Sequence, residues 1–266
     1  MRVTNSTFHG NTALIGGALV NAADGVLTVT HCTLAGNVGR YGAGGLANKG
    51  TVTLRSTILA ASSGGNCANG GTLTDAGYNL EDNNTCGFSA EKHSLVNTDP
   101  LLSPPGSYTG RAPTLALLPN SPAIDLIPYG TNGCGSNVAF DQRGIRRPQG
   151  AWSECDAGAF ESRGFILRKM SGDHQSTPVL LGFALPLRLL VASPYSEPVE
   201  KGQVTFTGPE SGAGTDPPVN TAVISRSGGV IQTMAANETP GRYWVAGDAR
   251  GSERQVFYDL KNTDRP

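Results

Sequence analysis

The residues best equipped for chemistry lie together in "DQRGIRRPQGAWSECDAGAFE", positions 141 to 161. Asp141, Arg143, Arg146, Arg147, Glu154, Asp156 and Glu161 crowd around Cys155, in a chain that is only 15% charged. Two kinds of chemistry fit. With Asp125 just upstream, the carboxylates of Asp141, Asp156 and Glu161 could offer oxygen ligands to Ca²⁺ or acceptors to sugar hydroxyls, the arginines gripping a uronate. Alternatively the charges satisfy one another, Arg143 and Arg147 making bidentate pairs with Asp141, Asp156 or Glu161. The elements that carry the stretch decide between the two.

Upstream the chain repeats. "MRVTNSTFHGN" (1–11), "LTVTHCTLAGN" (27–37) and "VTLRSTILA" (52–60) align at offsets of 26 and then 25 residues. Val3, Val29 and Leu54 match, as do Phe8, Leu34 and Leu59; "GGALVN" (16–21) and "GGLAN" (44–48) recur between them. Each unit reads as short strand, turn, short strand, turn. A unit of this length cannot bury both faces of its strands alone, but stacking one coil per repeat does, which predicts a parallel β-solenoid. Asn11 with Asn37, and Asn21 with Asn48, suit left-handed corners or amide ladders running along the coils. His9 and His31 occupy non-equivalent positions without a ligand partner, and are expected on the coil surface.

The coils carry one acidic residue, Asp24, in a turn. A lyase needs several carboxylates for Ca²⁺ and a base, and a glycosidase needs a spaced carboxylate pair. No catalytic, metal or cofactor residue is therefore assigned. The charged stretch comes where the repeat stops and a new domain starts, so it is expected to be a structural cap built on ion pairs among Asp125, Asp141, Arg143, Arg147, Asp156 and Glu161.

Composition narrows the class. In 266 residues, Gly 36 and Pro 17 suit a turn-rich all-β protein. A formal net charge of −1 gives no footprint for nucleic acid. No apolar run reaches the ~20 residues of a membrane span. Of five cysteines, Cys67 with Cys86 and Cys134 with Cys155 are expected to form disulfides, with Cys32 left over at a core position. Such pairs imply an extracellular or cell-surface setting. Met1 falls inside a repeat with no signal-peptide pattern ahead of it, so upstream sequence is expected to hold the export signal and further coils.

"GGNC", "GYNLEDNNTC", "DPLL", "PTLALLPNSPAID", "DQRGIRRPQG" and "CDAGAFE" follow one another in the order of the choice-of-anchor Q domain, which residues 1 to about 163 resemble. Where that family has Gly-Gly-Pro-Thr and then Thr-His, this chain has "GRAPTLAL" (110–117), so no histidine role carries over. The resemblance implies a right-handed β-helix of an exported protein held at the surface by an anchor, without an established reaction.

After Glu161 short alternating strands separated by Gly, Pro, Asn and Asp predict a β-sandwich. "VTFTGPESGAG", "PGRYWV" and "FYDLKN" look like bacterial immunoglobulin-like modules, with Tyr243, Val245 and Phe257 at alternating strand positions. The expected architecture is all-β: the C-terminal part of a right-handed parallel β-helix with its capping segment (1–163), then an immunoglobulin-like sandwich (164–266). The expected function is a non-catalytic secreted or cell-surface module for adhesion, carbohydrate contact or spacing. Its partner would be extracellular or cell-surface polysaccharide, with neither nucleic acid nor cofactor. A polysaccharide lyase or hydrolase with its catalytic coils upstream is the alternative.

Overall fold

A computed structural model describes residues 1–149 and 153–265; Gly150, Ala151 and Trp152 of the charged stretch, and Pro266, lie outside the described residues. The chain is all-β and divides into two compact units, Met1–Leu117 with Ser121–Ser162, and Leu118–Asn120 with Arg163–Pro266.

The first unit is a parallel β-solenoid of about three turns. One sheet stacks Arg2–Thr4, Val26–Thr30, Thr51–Arg55 and Thr72–Asp75; a second stacks Thr7–His9, Thr33–Ala35, Ile58–Ala60 and Leu80–Glu81; a third stacks Leu19–Asn21, Leu46–Asn48 and Cys67–Asn69. The register is the one the repeat implies. Val3 pairs with Val29 and Val29 with Leu54, while Phe8 pairs with Leu34 and Leu34 with Leu59. Alternation puts Val29, Leu34, Leu46, Val52, Leu54 and Leu59 inside one apolar column. Each such fully buried side chain stabilises the stack by about 1.5–3 kcal/mol.

The corners obey the same period. Asn5, His31 and Ser56 all turn with φ near +50°, one on each coil. Amide ladders hold another edge: Asn21 Nδ2 donates to Asn48 Oδ1 at 2.8 Å, and Asn48 Nδ2 donates to Asn69 Oδ1 at 2.7 Å. Asn37 Oδ1 accepts from the side chain of Asn11 at 3.0 Å. Cys67 and Cys86 form a disulfide beside the last coil, and Cys32 is a free thiol in the core, where burial raises its pKa to about 11.

The second unit contains two sheets. Ile166–Ser171, Leu187–Ala192 and Gly229–Gln232 form one. The other orders Gln175–Pro178, Val256–Thr263, Gly241–Asp248, Gln203–Thr207 and Val219–Val223. Leu187, Leu189, Val204, Phe206, Val245 and Tyr258 are buried, and Tyr258 crosses to donate to the Arg188 carbonyl at 2.8 Å. Tyr243 and Val245 face inward, but Phe257 faces solvent, because the inward register of its strand falls on Tyr258 and Leu260. The sequence change near 163–164 sits beside the unit boundary at Ser162. Residues 118–120 also belong to the second unit, where Pro119 accepts from the Gln203 amide at 2.9 Å.

Candidate functional site

The charged stretch is wound into a compact segment of the first unit. Its start is a turn dictated by "DQRG". Asp141 Oδ1 accepts the amides of Arg143 and Ile145 at 2.8 and 2.9 Å, the local closure for which aspartate is suited. Gly144 supplies the left-handed residue that lets the chain turn, with φ +85°. Asp141 Oδ2 then accepts Arg143 Nε at 2.8 Å and the Glu161 amide at 3.0 Å. The Arg143 guanidinium lies over the Phe160 ring, 3.4 Å from its centroid. The Cys134–Cys155 disulfide ties this segment to the loop that precedes it, and Ile127 forms an isolated antiparallel bridge with Cys155.

Arg147 is the centre. It is completely buried; Nη1 donates to Glu161 Oε2 at 2.6 Å and to the Asp156 carbonyl at 2.9 Å, and Nη2 donates to the Gly158 carbonyl at 2.7 Å. Asp156 is held differently from the expected arginine pair. Its Oδ1 accepts the Asp125 amide at 2.8 Å and its Oδ2 the Ser162 amide at 2.6 Å. Asp125 thus enters the network through its backbone N–H, from a left-handed φ of 49°. Burial pushes the Asp156 carboxyl well above its ordinary range, reinforced by Glu161 and Asp125 nearby. Burial likewise raises Glu161 to about 7 against the opposing pull of Arg147.

The segment lies along the flank of the coils. The Gly158 amide donates to the Ser56 carbonyl at 2.9 Å, and the Ala159 amide donates to Thr33 Oγ1 at 3.0 Å. Asn5 Nδ2 donates to the Phe140 carbonyl at 2.6 Å, and Thr7 Oγ1 donates to Gln142 Oε1 at the same distance. Coils one, two and three are all gripped, so the expected cover across the last coil is instead a lateral clasp. The last coil is closed by a different segment, in which Glu81 receives the Thr85 and Cys86 amides while its own amide donates to the Leu95 carbonyl. A Cβ at Gly158 would stand 2.7 Å from Ile58 Cδ1 and Thr33 Oγ1, so glycine is what permits this approach.

His31 corrects a sequence expectation. It is fully buried, because the clasp covers the corner column to which it belongs; the Asn132 and Asp156 backbones face the ring without a hydrogen bond of ordinary geometry to either nitrogen. Burial, then the positive charge of Arg147, hold its pKa well below the ordinary imidazole value. His9 stays exposed, with Nδ1 3.0 Å from the Ala35 carbonyl.

No family model, curated protein or solved structure matches the chain. Among the described residues no three His, Cys, Asp or Glu side chains converge in a way that could hold a metal ion. The carboxylates of Asp141, Asp156 and Glu161 are instead engaged by backbone amides and arginines. Sequence reading missed Thr33, Ser56, Asn69 and Asn132, which anchor the clasp or extend the ladder. For Thr33 and Ser56 the signal was the repeat offset, since they stand at coil positions equivalent to Thr7 and Asn5; Asn132 lies outside the repeat and gave none.

Proposed function

We propose that the chain is a non-catalytic module of an exported or cell-surface protein: a right-handed, choice-of-anchor Q-type β-helix followed by an immunoglobulin-like sandwich, acting in adhesion, carbohydrate contact or spacing. One observation carries this reading. Five charged side chains of 141–161, Asp141, Arg143, Arg147, Asp156 and Glu161, are engaged within the segment itself, with Arg147 buried and bonded to Glu161. Arg146 and Glu154 are exposed, and neutral groups hold the segment against three coils. A stretch so engaged is suited to keeping a surface rigid.

Three further observations support it. The motif series from "GGNC" to "CDAGAFE" runs in the family's order. The two disulfides suit an oxidising compartment, and among the described residues no helix is long and apolar enough to cross a membrane. In the second unit, eight strands divide between a three-stranded and a five-stranded sheet, which supports the sandwich reading; lacking cysteine, it would rely on packing in place of the antibody-type disulfide.

The test uses the full chain. Incubation with polyuronides and Ca²⁺ is expected to give no rise in the absorbance of unsaturated product, while a glycan array retains the protein. Product formation would establish the lyase alternative. Peptide mapping without reductant is expected to show two disulfides and one thiol, at Cys32; five thiols would remove the argument for export.

A further inference from the structure

The outward face of the first solenoid sheet carries a second arrangement that the clasp does not use. Strands Arg2–Thr4, Val26–Thr30 and Thr51–Arg55 stack in parallel, with Arg2 beside Thr28 and Thr28 beside Thr53, and with Thr4 beside Thr30 and Thr30 beside Arg55. Outward positions therefore form two columns of hydroxyls, each with an arginine at one end. The loop from Asn132 to Val138 rises beside these columns and makes a groove of about 430 Å³. That wall is fastened. Cys134 is bonded to Cys155, Val138 donates its amide to the Gly133 carbonyl at 2.9 Å, and Asn132 Nδ2 donates to Ser56 Oγ at 3.0 Å.

The groove's charge is unbalanced. Arg2 and Arg55 line it and no carboxylate does. Neither guanidinium belongs to an ion pair among the described residues, and Arg55 Nε is a buried donor without an acceptor among them. Arg143 and Arg147, by contrast, are bonded to carboxylates, although Arg147 Nε is likewise a buried donor without an acceptor among the described residues. A buried, unsatisfied donor costs about 1–3 kcal/mol, more when charged, and an incoming anion removes that cost.

The spacing describes the ligand. Two strand separations, roughly 10 Å, and two residues, roughly 7 Å, lie between the backbone positions of Arg2 and Arg55. Two cations so placed suit an extended molecule with separated negative charges, and the threonine hydroxyls between them suit a polyol. No aromatic side chain lines the groove to stack a nucleobase. We infer that this groove binds an acidic saccharide, its carboxylates held by Arg2 and Arg55 and its hydroxyls by Thr28, Thr30 and Asn132. The inference rests on the carbohydrate-contacting reading above and names the site and charge class for it.

Calorimetric titration of the full chain with trigalacturonate, with the corresponding neutral trimer, and with sodium sulfate tests it. The uronate trimer is expected to bind, and R2Q and R55Q each to weaken it by about tenfold, the factor carried by one charge-assisted hydrogen bond. Rising salt should weaken binding further, and the neutral trimer should bind at least as poorly as the variants. R2Q alters an exposed residue, so an unchanged thermal midpoint there keeps the test sound if R55Q folds badly. Equal binding of acidic and neutral trimers, or no binding of the uronate, would overturn the inference. So would displacement of the trimer by sulfate at equal concentration, which marks a simple anion site. Undiminished uronate binding in both variants would overturn this groove while leaving carbohydrate contact elsewhere standing.

Discussion

Arg147 Nη1 and Glu161 Oε2 meet at 2.6 Å with both side chains withdrawn from solvent, and the same guanidinium holds the Asp156 and Gly158 carbonyls. Removing one partner of a buried pair leaves a charge without compensation and costs about 3–5 kcal/mol. R147M and E161Q are each expected to lower the solenoid's stability by that order in denaturant unfolding. The double variant R147M/E161L is expected to recover some of it and not all, because two carbonyls still lose their donor. A loss below about 1 kcal/mol in both single variants, the level of an exposed pair, would contradict the burial argument.

The clasp makes stability depend on pH through His31. Its native pKa is held down by burial and Arg147, whereas the unfolded imidazole titrates near pH 6.5. A depressed native pKa contributes stability above about pH 6.5 and loses it as pH falls through that value. Glu161 acts in the opposite sense. Its pKa is raised to about 7, so its contribution is complete below the ordinary value of 4.5 and is lost as pH rises through 7. Comparing wild type with H31N isolates the imidazole, since asparagine occupies the same corner at Asn5. Between neutrality and pH 5 wild type should lose stability relative to H31N, with parallel curves above neutrality. Parallel curves throughout would show that His31 titrates freely.

The amide ladder predicts a local effect. Asn48 donates to the Gly50 and Thr72 carbonyls and to Asn69 Oδ1, and accepts from Asn21 and the Gly50 amide. N48A strands several buried groups, each worth about 1 kcal/mol net, and is expected to cost about 2–4 kcal/mol. T53A, on the outward face of a neighbouring strand, should change stability by less than about 0.5 kcal/mol. Equal effects in thermal unfolding would deny the ladder its role.

The repeat made the coils legible. Offsets of 26 and 25 residues bring Val3, Val29 and Leu54 into register, because stacked strands must bury like residues over like. The cysteine pairs were legible from their proximity in sequence. The position of the clasp was not, since Gly158 meets Ser56 and Ala159 meets Thr33 across about a hundred residues that carry no period. For the same reason His31 read as a surface residue: what buries it is a distant segment. Arg2 and Arg55 escaped notice because they stand at different positions of their repeats and come together only through register.

The most direct test of the clasp is native-state hydrogen exchange of the full chain, comparing the amides of Gly158, Ala159 and Glu161 with those of Val29 and Leu54 in the coils. If 141–161 is fastened to the solenoid, both sets should exchange with the same opening free energy and the same denaturant dependence, as one cooperative unit. Exchange of the clasp amides at a much lower free energy, with the coil amides still protected, would mean that the charged stretch is an independent, mobile element and would contradict the account.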